Sequence, residues 1–299
     1  MRTIIICGAT ATGKSDLAVA LAKEIGAEIV NADSMQVYEG MDIGTAKLSL
    51  AERGGIPHHL LDALTVRQDS TVAWYQDAAR TVIDQIHQRG KDAIIVGGTG
   101  LYIKAIVDDL NFPDTDPVIR SRLELEAIEQ GSAVLFARLE KLDPAAALAI
   151  DRANTRRIVR ALEVIEITGQ PFTANLPREE SSRYPDAFHF GLSQDRESLD
   201  VRVSNRVDAM WEAGLVAEVE ALVVTGLREG ITAQKALGYA QVLQMMDGLL
   251  TSDQAREETK RVTRQYIRRQ DTWFSRDARL NWLGHYENRL EKILTRINS

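Results

Sequence analysis

The sequence has a single cysteine, Cys7, among its 299 residues. One cysteine excludes an internal disulfide and a zinc site built from several thiolates. No apolar run approaches the ~18 residues that a membrane-spanning helix needs. The chain begins with Met1 and Arg2 directly before a strand pattern, which leaves no room for a signal peptide. These absences predict a cytoplasmic protein with no membrane partner.

The chain has no excess of positive charge, because 36 basic residues face 43 acidic ones and the formal net charge is −7 at pH 7. This balance argues against indiscriminate binding of polyanions, although a local basic face stays compatible with it. No internal repeat, low-complexity tract or N-K-x-D tetrapeptide is present, and the last absence disfavours a GTP-binding switch protein. The chain is long enough for one large domain or two.

A phosphate-binding pattern stands near the beginning of the chain. The pattern G-x-x-x-x-G-K-[ST] follows an apolar β-branched run and precedes a segment with apolar residues at helical spacing. Strand, glycine loop and helix together aim backbone N–H groups and a helix N-terminus at phosphate oxygens. The lysine supplies a point charge and the serine a hydroxyl for Mg²⁺. This phosphate loop comprises Gly8, Ala9, Thr10, Ala11, Thr12, Gly13, Lys14 and Ser15.

Two further strands end in polar or glycine-rich turns. Residues 27–32 read as a short parallel strand that ends at Asp33, and 92–96 read as a buried strand that ends in Gly97, Gly98 and Thr99. Ligands of open α/β sheets lie at the carboxyl ends of the strands. Asp33 is therefore a general base, a metal-side ligand or the N-cap of a following helix. The glycine turn either approaches a ligand or packs a helix tightly on the strand.

The glycine-rich segment 54–62 contains His58 and His59. Adjacent side chains point in different directions and no third ligand lies near in sequence, so we expect a structural loop here rather than a metal site.

A change of composition at 111–117, with two prolines and two aspartates, marks a domain boundary. Four helices are predicted beyond it, at 117–130, 132–141, 144–150 and 154–167, and 187–192 reads as a strand that returns to the sheet. The predicted fold is α/β, with a parallel P-loop sheet covered by helices on both faces and an all-helical insertion. The predicted core comprises 1–112 and 187–299, the predicted insertion 113–186, and the last third of the chain is expected to be helical.

Arginines cluster in three places. Arg156 and Arg160 lie at i and i+4 in a locally basic helix, which is either an RNA contact or a solvated face. Arg202 and Arg206 share the same spacing and either close over phosphates or form surface ion pairs. Residues 256–279 carry a local charge of +4, with three arginines on one helical face, namely Arg261, Arg264 and Arg268.

These motifs, in this order, resemble the tRNA dimethylallyltransferases, also called tRNA isopentenyltransferases, of the bacterial type. The resemblance covers nearly the whole chain and is carried by residues 8–15, 31–38, 42–47, 57–60, 96–102, 157–163, 202–206, 236–239 and 269–274. Eukaryotic members carry a C-terminal zinc finger, which a chain with one cysteine does not form.

The resemblance implies a reaction and its partners. The dimethylallyl group of dimethylallyl diphosphate passes to the exocyclic N6 of the adenosine at position 37, beside the anticodon, with loss of diphosphate. Asp33 resembles the base that takes the N6 proton. Thr99 resembles the hydroxyl residue that lines the channel between the donor and this base. The resemblance assigns the donor diphosphate and Mg²⁺ to Thr10, Lys14 and Ser15, and the leaving diphosphate to Arg206 or, alternatively, to Arg202.

The resemblance also implies contacts with the anticodon stem-loop of tRNA. They fall on Asp33, Ser34, Met35, Gln36, Thr99, Arg120, Arg156, Arg157, Ile158, Val159 and Arg160, with Arg264, Arg268 and Arg269 as additional candidates. The sequence departs from the family pattern at Ala9, Thr12 and Arg156, the last of which replaces a common glutamine. A monomer is expected.

Two other functions use the same phosphate loop. A P-loop kinase for a small molecule or nucleotide would use Asp33 to activate an acceptor hydroxyl, and a related transferase would prenylate free adenine nucleotides. The helical insertion and the arginine-rich C-terminal segment weigh against both. An absent aspartate at the end of the 92–96 strand also disfavours nucleotide hydrolysis.

Overall fold

The computed structural model describes residues 1–110, 112–175 and 182–299. The chain forms two compact units, one made of 1–107 with 184–299 and the other of 108–183. The expected insertion, 113–186, begins and ends a few residues later than the second unit.

Six parallel strands form one sheet in the first unit. They are β1 (Thr3–Gly8), β2 (Glu28–Asn31), β3 (His58–His59), β4 (Ala93–Gly97), β5 (Phe188–Leu192) and β6 (Asn281–Leu283). The spatial order is β3-β2-β4-β1-β5-β6, so β1 is central and is paired with β4 and β5. The phosphate loop therefore leaves the middle of the sheet, where neighbouring strands also end.

The described residues form α-helices on both sides of this sheet and throughout the second unit. They are α1 (Lys14–Ile25), α2 (Val72–Gln88), α3 (Gly100–Val107), α4 (Pro117–Gln130), α5 (Ser132–Leu142), α6 (Pro144–Ala149), α7 (Thr155–Thr168), α8 (Arg196–Glu212), α9 (Leu215–Thr225), α10 (Tyr239–Met246), α11 (Ser252–Phe274) and α12 (Arg289–Ile297).

Alternation along β1 explains why the sheet is covered on both faces. Ile4 and Ile6 point to a core shared with α1 and α12, whereas Ile5 and Cys7 point to a core shared with α2, α3 and the end of α11. A strand buried on both faces reads as a continuous apolar run, as Thr3–Cys7 does. The α/β fold class with helices on both faces is thereby confirmed.

The second unit has a core of its own. Leu123, Leu139, Ile158 and Leu162 are fully or almost fully buried and pack between α4, α5 and α7. Burial of an apolar stripe on each helix stabilises a bundle of this kind. The four helices predicted for this region form with nearly the expected bounds.

Two strand assignments differ from the expectations. His58 and His59 form the short edge strand β3 rather than a loop, because β2 offers its free edge at Ile29 and Val30. The last third of the chain is not wholly helical, because 281–283 pair with β5 as β6. Both strands are two or three residues long, too short for periodicity to reveal.

Among the described residues, no helix is both long and apolar enough to cross a membrane.

Candidate active site

The phosphate loop turns sharply at the end of β1. Gly13 adopts the left-handed conformation, with φ of 83°, immediately before α1 begins at Lys14. Glycine populates this region without steric penalty. The Lys14 ammonium donates to the carbonyl oxygen of Ala9 at 2.6 Å, and the Thr12 hydroxyl donates to the same oxygen at 2.9 Å. The loop thus holds its own lysine over the turn.

A cavity of about 700 Å³ opens beside this loop. Lys14, Ser15, Asp33, Arg202 and Arg206 line it, as do residues of the 42–48 loop. It therefore unites the phosphate loop, the turn after β2 and α8, which the sequence separates by almost two hundred residues.

Lys14 and Arg206 are partly buried in this cavity. Burial lowers the pKa of Lys14 to about 8, opposed by the nearby Asp33 carboxylate and reinforced by Arg206. Burial likewise lowers the pKa of Arg206, and Asp33 opposes this shift. An arginine keeps its charge under such conditions. The cavity therefore presents desolvated cations that an anionic ligand would stabilise.

Arg202 and Arg206 of α8 occupy different environments. Arg206 is partly buried and donates from Nη2 to the carbonyl oxygen of Thr45 at 3.3 Å. Arg202 is exposed and donates from Nη1 to Oε1 of Gln194 at 2.9 Å. Only Arg206 has its charge held inside the cavity next to Lys14.

Asp33 lies at the carboxyl end of β2. Its Oδ1 accepts the Met35 N–H at 2.9 Å, and its own N–H donates to Oδ1 of Asn31 at 3.0 Å. The alternative that Asp33 caps a helix is wrong, because residues 33–40 form turns and no helix begins there. The carboxylate is held by a turn and faces the cavity.

Thr99 connects the turn after β4 to the turn that carries Asp33. Its Oγ1 accepts the Ser34 N–H at 3.1 Å and lies 3.3 Å from the Ser34 hydroxyl oxygen. Ser34 and Thr99 are therefore hydrogen-bonded to each other directly beside Asp33, and the three residues form one rim.

A narrower pouch of about 280 Å³ adjoins the cavity and shares Thr10, Asp33, Thr45 and Arg206 with it. Aliphatic and thioether side chains line much of this pouch, among them Val203, Val207, Met210 and Leu237. A cationic cavity next to an apolar pouch suits a ligand with an anionic end and a hydrocarbon end.

Sequence reasoning gave no role to three side chains around the phosphate loop. The buried Gln270 accepts the Thr10 N–H, the Tyr266 hydroxyl is hydrogen-bonded to Thr99 and Gln270, and Arg289 donates to the Thr12 carbonyl at 2.8 Å. Burial and the charge of Asp33 raise the pKa of Tyr266 to about 12, so its hydroxyl stays protonated at neutral pH. Gln270 belongs to segment 269–274, which carries part of the family resemblance, and this was the one sequence feature that pointed to it.

Glu163 organises two of the candidate RNA-contacting arginines in the second unit. Its carboxylate is fully buried, and Oε2 pairs with Arg120 at 2.7 Å and with Arg160 at 2.9 Å. Arg160 also donates to the carbonyl oxygens of Pro113 and Asp114. Arg120 and Arg160 are therefore held in fixed positions.

Arg156 and Arg157 lie on the exposed surface of α7. Ile158 and Val159, also expected to contact RNA, lie in the core of the second unit, where each is at most 3% exposed. Their side chains therefore face the core and not the RNA, because the helical period turns these two positions inward.

The remaining candidates fall on the surface or in supporting contacts. Gln36 uses its amide to donate to the Thr45 carbonyl at 3.1 Å, and Met35 packs against the core around α9 and α10. Arg264 donates to the Ser204 hydroxyl at 2.7 Å, whereas Arg268 is exposed and the Arg269 guanidinium lies over the Tyr266 ring.

A parallel sheet whose central strand ends in a phosphate loop, with buried cations and a carboxylate in one cavity, defines a P-loop phosphate-binding protein. A family model described as IPP transferase matches residues 36–277. The chain belongs to this family, and the resemblance found in the sequence is confirmed.

Curated relatives extend the match over nearly the whole chain. The tRNA dimethylallyltransferase of Thermobifida fusca is 57% identical over 291 residues, which are 95% of this chain and 91% of the relative. The tRNA dimethylallyltransferase of Streptomyces griseus is 56% identical over 95% of this chain and 90% of the relative.

Solved structures agree with the fold. The tRNA isopentenylpyrophosphate transferase of Bacillus halodurans is 37% identical, with a TM-score of 0.72 over 99% of this chain and 95% of the other. A eukaryotic dimethylallyltransferase acting on tRNA is 26% identical, with a TM-score of 0.83 over all of this chain and 79% of the other.

Proposed function

We propose that this chain transfers the dimethylallyl group of dimethylallyl diphosphate to N6 of the adenosine beside the anticodon of tRNA and releases diphosphate. The observation that carries the proposal is the single cavity in which Lys14, Arg206 and Asp33 meet next to an apolar pouch. The named relatives support the same reaction.

The cations act on the leaving group. N6 of adenine is a weak nucleophile because its lone pair is delocalised into the ring, so the reaction needs a reactive electrophile. As the allylic C–O bond breaks, its electron pair goes to the diphosphate, where Lys14 and Arg206 stabilise the charge. Each preorganised donor of this kind contributes on the order of 3–4 kcal/mol.

Asp33 acts on the nucleophile. The N6 lone pair forms the new C–N bond, and the nitrogen then sheds a proton, which the Asp33 carboxylate accepts. Thr99 and Ser34 form the adjoining rim, so a purine that enters there would place its amino group near both. The base must leave its stack, which costs a few kcal/mol.

Ser15 fits a magnesium ion shared with the substrate. Mg²⁺ is commonly held by one or two protein oxygens together with substrate phosphates and water. Ser15 lines the cavity, and the described residues contain no group of three or more His, Cys, Asp or Glu side chains suited to a metal. When bound there, the ion would neutralise charge on the diphosphate.

Exposed basic residues are the proposed RNA contacts. Arg156 and Arg157 on α7, together with Arg268 and Arg269 on α11, present guanidinium groups to solvent. Such groups contact phosphates of the anticodon stem-loop and position the RNA. Arg120 and Arg160 would add donors that Glu163 holds in place. The proposed enzyme acts as a monomer.

One assay tests this proposal. Radiolabelled dimethylallyl diphosphate is incubated with unmodified tRNA, AMP and ATP in parallel, with Mg²⁺ present. We expect label in tRNA alone, on N6 of an adenosine, and no steady hydrolysis of ATP. Label in AMP would identify a transferase for free nucleotides, and ATP turnover would identify a kinase; either result overturns the proposal.

A further inference from the structure

One amide side chain, that of Gln270, joins the phosphate loop to the turn after β4. Gln270 on α11 is 5% exposed, and its Oε1 accepts the Thr10 N–H of the phosphate loop at 2.9 Å. Its Nε2 donates to the carbonyl oxygen of Gly98 in the turn after β4 at 2.8 Å. The amide therefore bridges the backbones of two different loops, and the Tyr266 hydroxyl is a further hydrogen-bond partner of Gln270.

These two loops carry the opposing parts of the proposed reaction. The phosphate loop holds the donor diphosphate. The turn after β4 carries Thr99, whose hydroxyl accepts the Ser34 N–H beside Asp33. Hydrogen bonds thus link Thr10 to Gln270 and Gln270 to Gly98, and the next residue, Thr99, is hydrogen-bonded to Ser34 beside the proposed base.

The glycine at 98 is explained by the same amide. A Cβ added to Gly98 would lie 2.4 Å from Nε2 of Gln270, and its next neighbour, the carbonyl oxygen of Gly8, would be at an ordinary 3.5 Å. Gly98 does not have a positive φ. Only the Gln270 side chain, not the backbone, therefore opposes a side chain at this position.

We propose that Gln270 is a positioning residue that sets the separation between the diphosphate cradle and the Thr99–Asp33 rim, and so the alignment of the allylic carbon with N6. The inference rests on the proposed function. Gln270 acts through alignment and not through phosphate contact, because its amide bonds to the backbone of the phosphate loop and it does not line the cavity that holds Lys14 and Arg206. A misplacement of about 1 Å is enough to lower a rate about a hundredfold.

The test compares Q270A, Q270E, G98A and the double variant G98A/Q270A with Q265A as control, since Gln265 is exposed on the same helix. The single-turnover rate of label transfer to tRNA is measured at saturating donor. Titration with inorganic diphosphate gives affinity and the fraction of intact sites. Q270A and G98A should each lower the rate about thirtyfold or more, with diphosphate affinity within threefold of wild type and full stoichiometry.

Q270E separates the two hydrogen bonds. Its carboxylate still accepts the Thr10 N–H but has no proton for the Gly98 carbonyl, so it should be as slow as Q270A. The double variant is decisive. Removal of the amide removes the clash, so G98A/Q270A should transfer no more slowly than Q270A, within about twofold.

Several outcomes overturn the inference. Q270A at the wild-type rate does so, as does a loss of rate explained by a matching loss of diphosphate sites. The inference is also overturned if the rate loss in G98A/Q270A equals the product of the two single losses, because Gly98 would then act independently of the amide. If wild-type protein transfers no label to tRNA, the proposed function fails first, whereas wild-type transfer with an unaffected Q270A removes only the role of Gln270.

Discussion

At the scale of single residues, Arg202 and Arg206 of α8 differ more than their spacing suggests. Arg206 is held in the donor cavity beside Lys14, whereas Arg202 is exposed and bonded to Gln194. We expect Arg206→Ala to lower the rate of transfer about a hundredfold or more, the size of one lost charge-stabilising donor. Arg202→Ala should lower it less than tenfold. Steady-state kinetics with tRNA and dimethylallyl diphosphate measure both, and equal losses would contradict the assignment.

Asp33 is the proposed general base of the reaction. Asp33→Asn keeps an oxygen that can accept the Met35 N–H but loses the basic carboxylate. Turnover should therefore fall by about two to four orders of magnitude, the usual contribution of a general base. Binding of tRNA should change little. Asp16→Asn is the matched control, because Asp16 is an exposed carboxylate on the same cavity. A D33N variant that turns over normally removes Asp33 as the base.

At the scale of elements, Glu28 ties the end of α2 to the sheet. Its carboxylate lies 2.6 Å from Arg89, 2.7 Å from His59 and 3.1 Å from Lys91. Burial would raise the pKa of Glu28, but these hydrogen bonds outweigh it and lower the pKa to about 2. A carboxylate with a lowered pKa stabilises the fold above its ordinary pKa and loses this contribution as the pH falls toward 2.

Glu28→Gln should accordingly lower the free energy of unfolding by about 1–3 kcal/mol at pH 7. The difference from wild type should shrink as the pH falls below about 4.5. Urea unfolding at pH 7 and at pH 3.5 measures it, with the exposed Glu24→Gln as control. A difference that stays constant with pH would show that charge is not its cause.

Helix α7 carries both exposed arginines and an arginine held in an ion pair. Arg156 and Arg157 are exposed, whereas Arg160 is paired with the buried Glu163. The double variant Arg156→Ala with Arg157→Ala should weaken tRNA binding and make the slope of log affinity against log salt shallower by about 1.5, the effect of two lost phosphate contacts. Arg138→Ala, which removes an arginine paired with Glu126 in the same unit, is the control. An unchanged slope would take α7 out of the RNA contact.

At the scale of the whole molecule, the chain forms two units, each with a core of its own. Leu162 is 1% exposed in the core of 108–183, and the donor cavity is lined entirely by residues of 1–107 and 184–299. Leu162→Ala should destabilise its unit by about 2–5 kcal/mol. Calorimetry should show this loss, while inorganic diphosphate still binds with wild-type affinity. Loss of diphosphate binding would mean that the donor site depends on the second unit.

Most of the fold could be predicted from local pattern. The runs at 3–8 and 93–97 are strongly apolar and end in glycine, and α4, α6 and α7 of the second unit follow side-chain caps and carry buried residues. The short strands β3 and β6 could not be predicted. They form because a neighbouring strand offers unpaired backbone groups, which is a property of the sheet and not of their own sequence.

The phosphate loop, the fold class and the family were determined by the sequence alone, because their spacing makes the chemistry local: a strand, a turn that only glycine favours, and a helix N-terminus follow one another directly. What only the tertiary structure decided is which distant side chains meet there. It separates Arg206 from Arg202, turns Ile158 and Val159 inward, and places Gln270 between Thr10 and Gly98. Such contacts join segments up to 260 residues apart, and they arise from packing across the sheet, which no local pattern records.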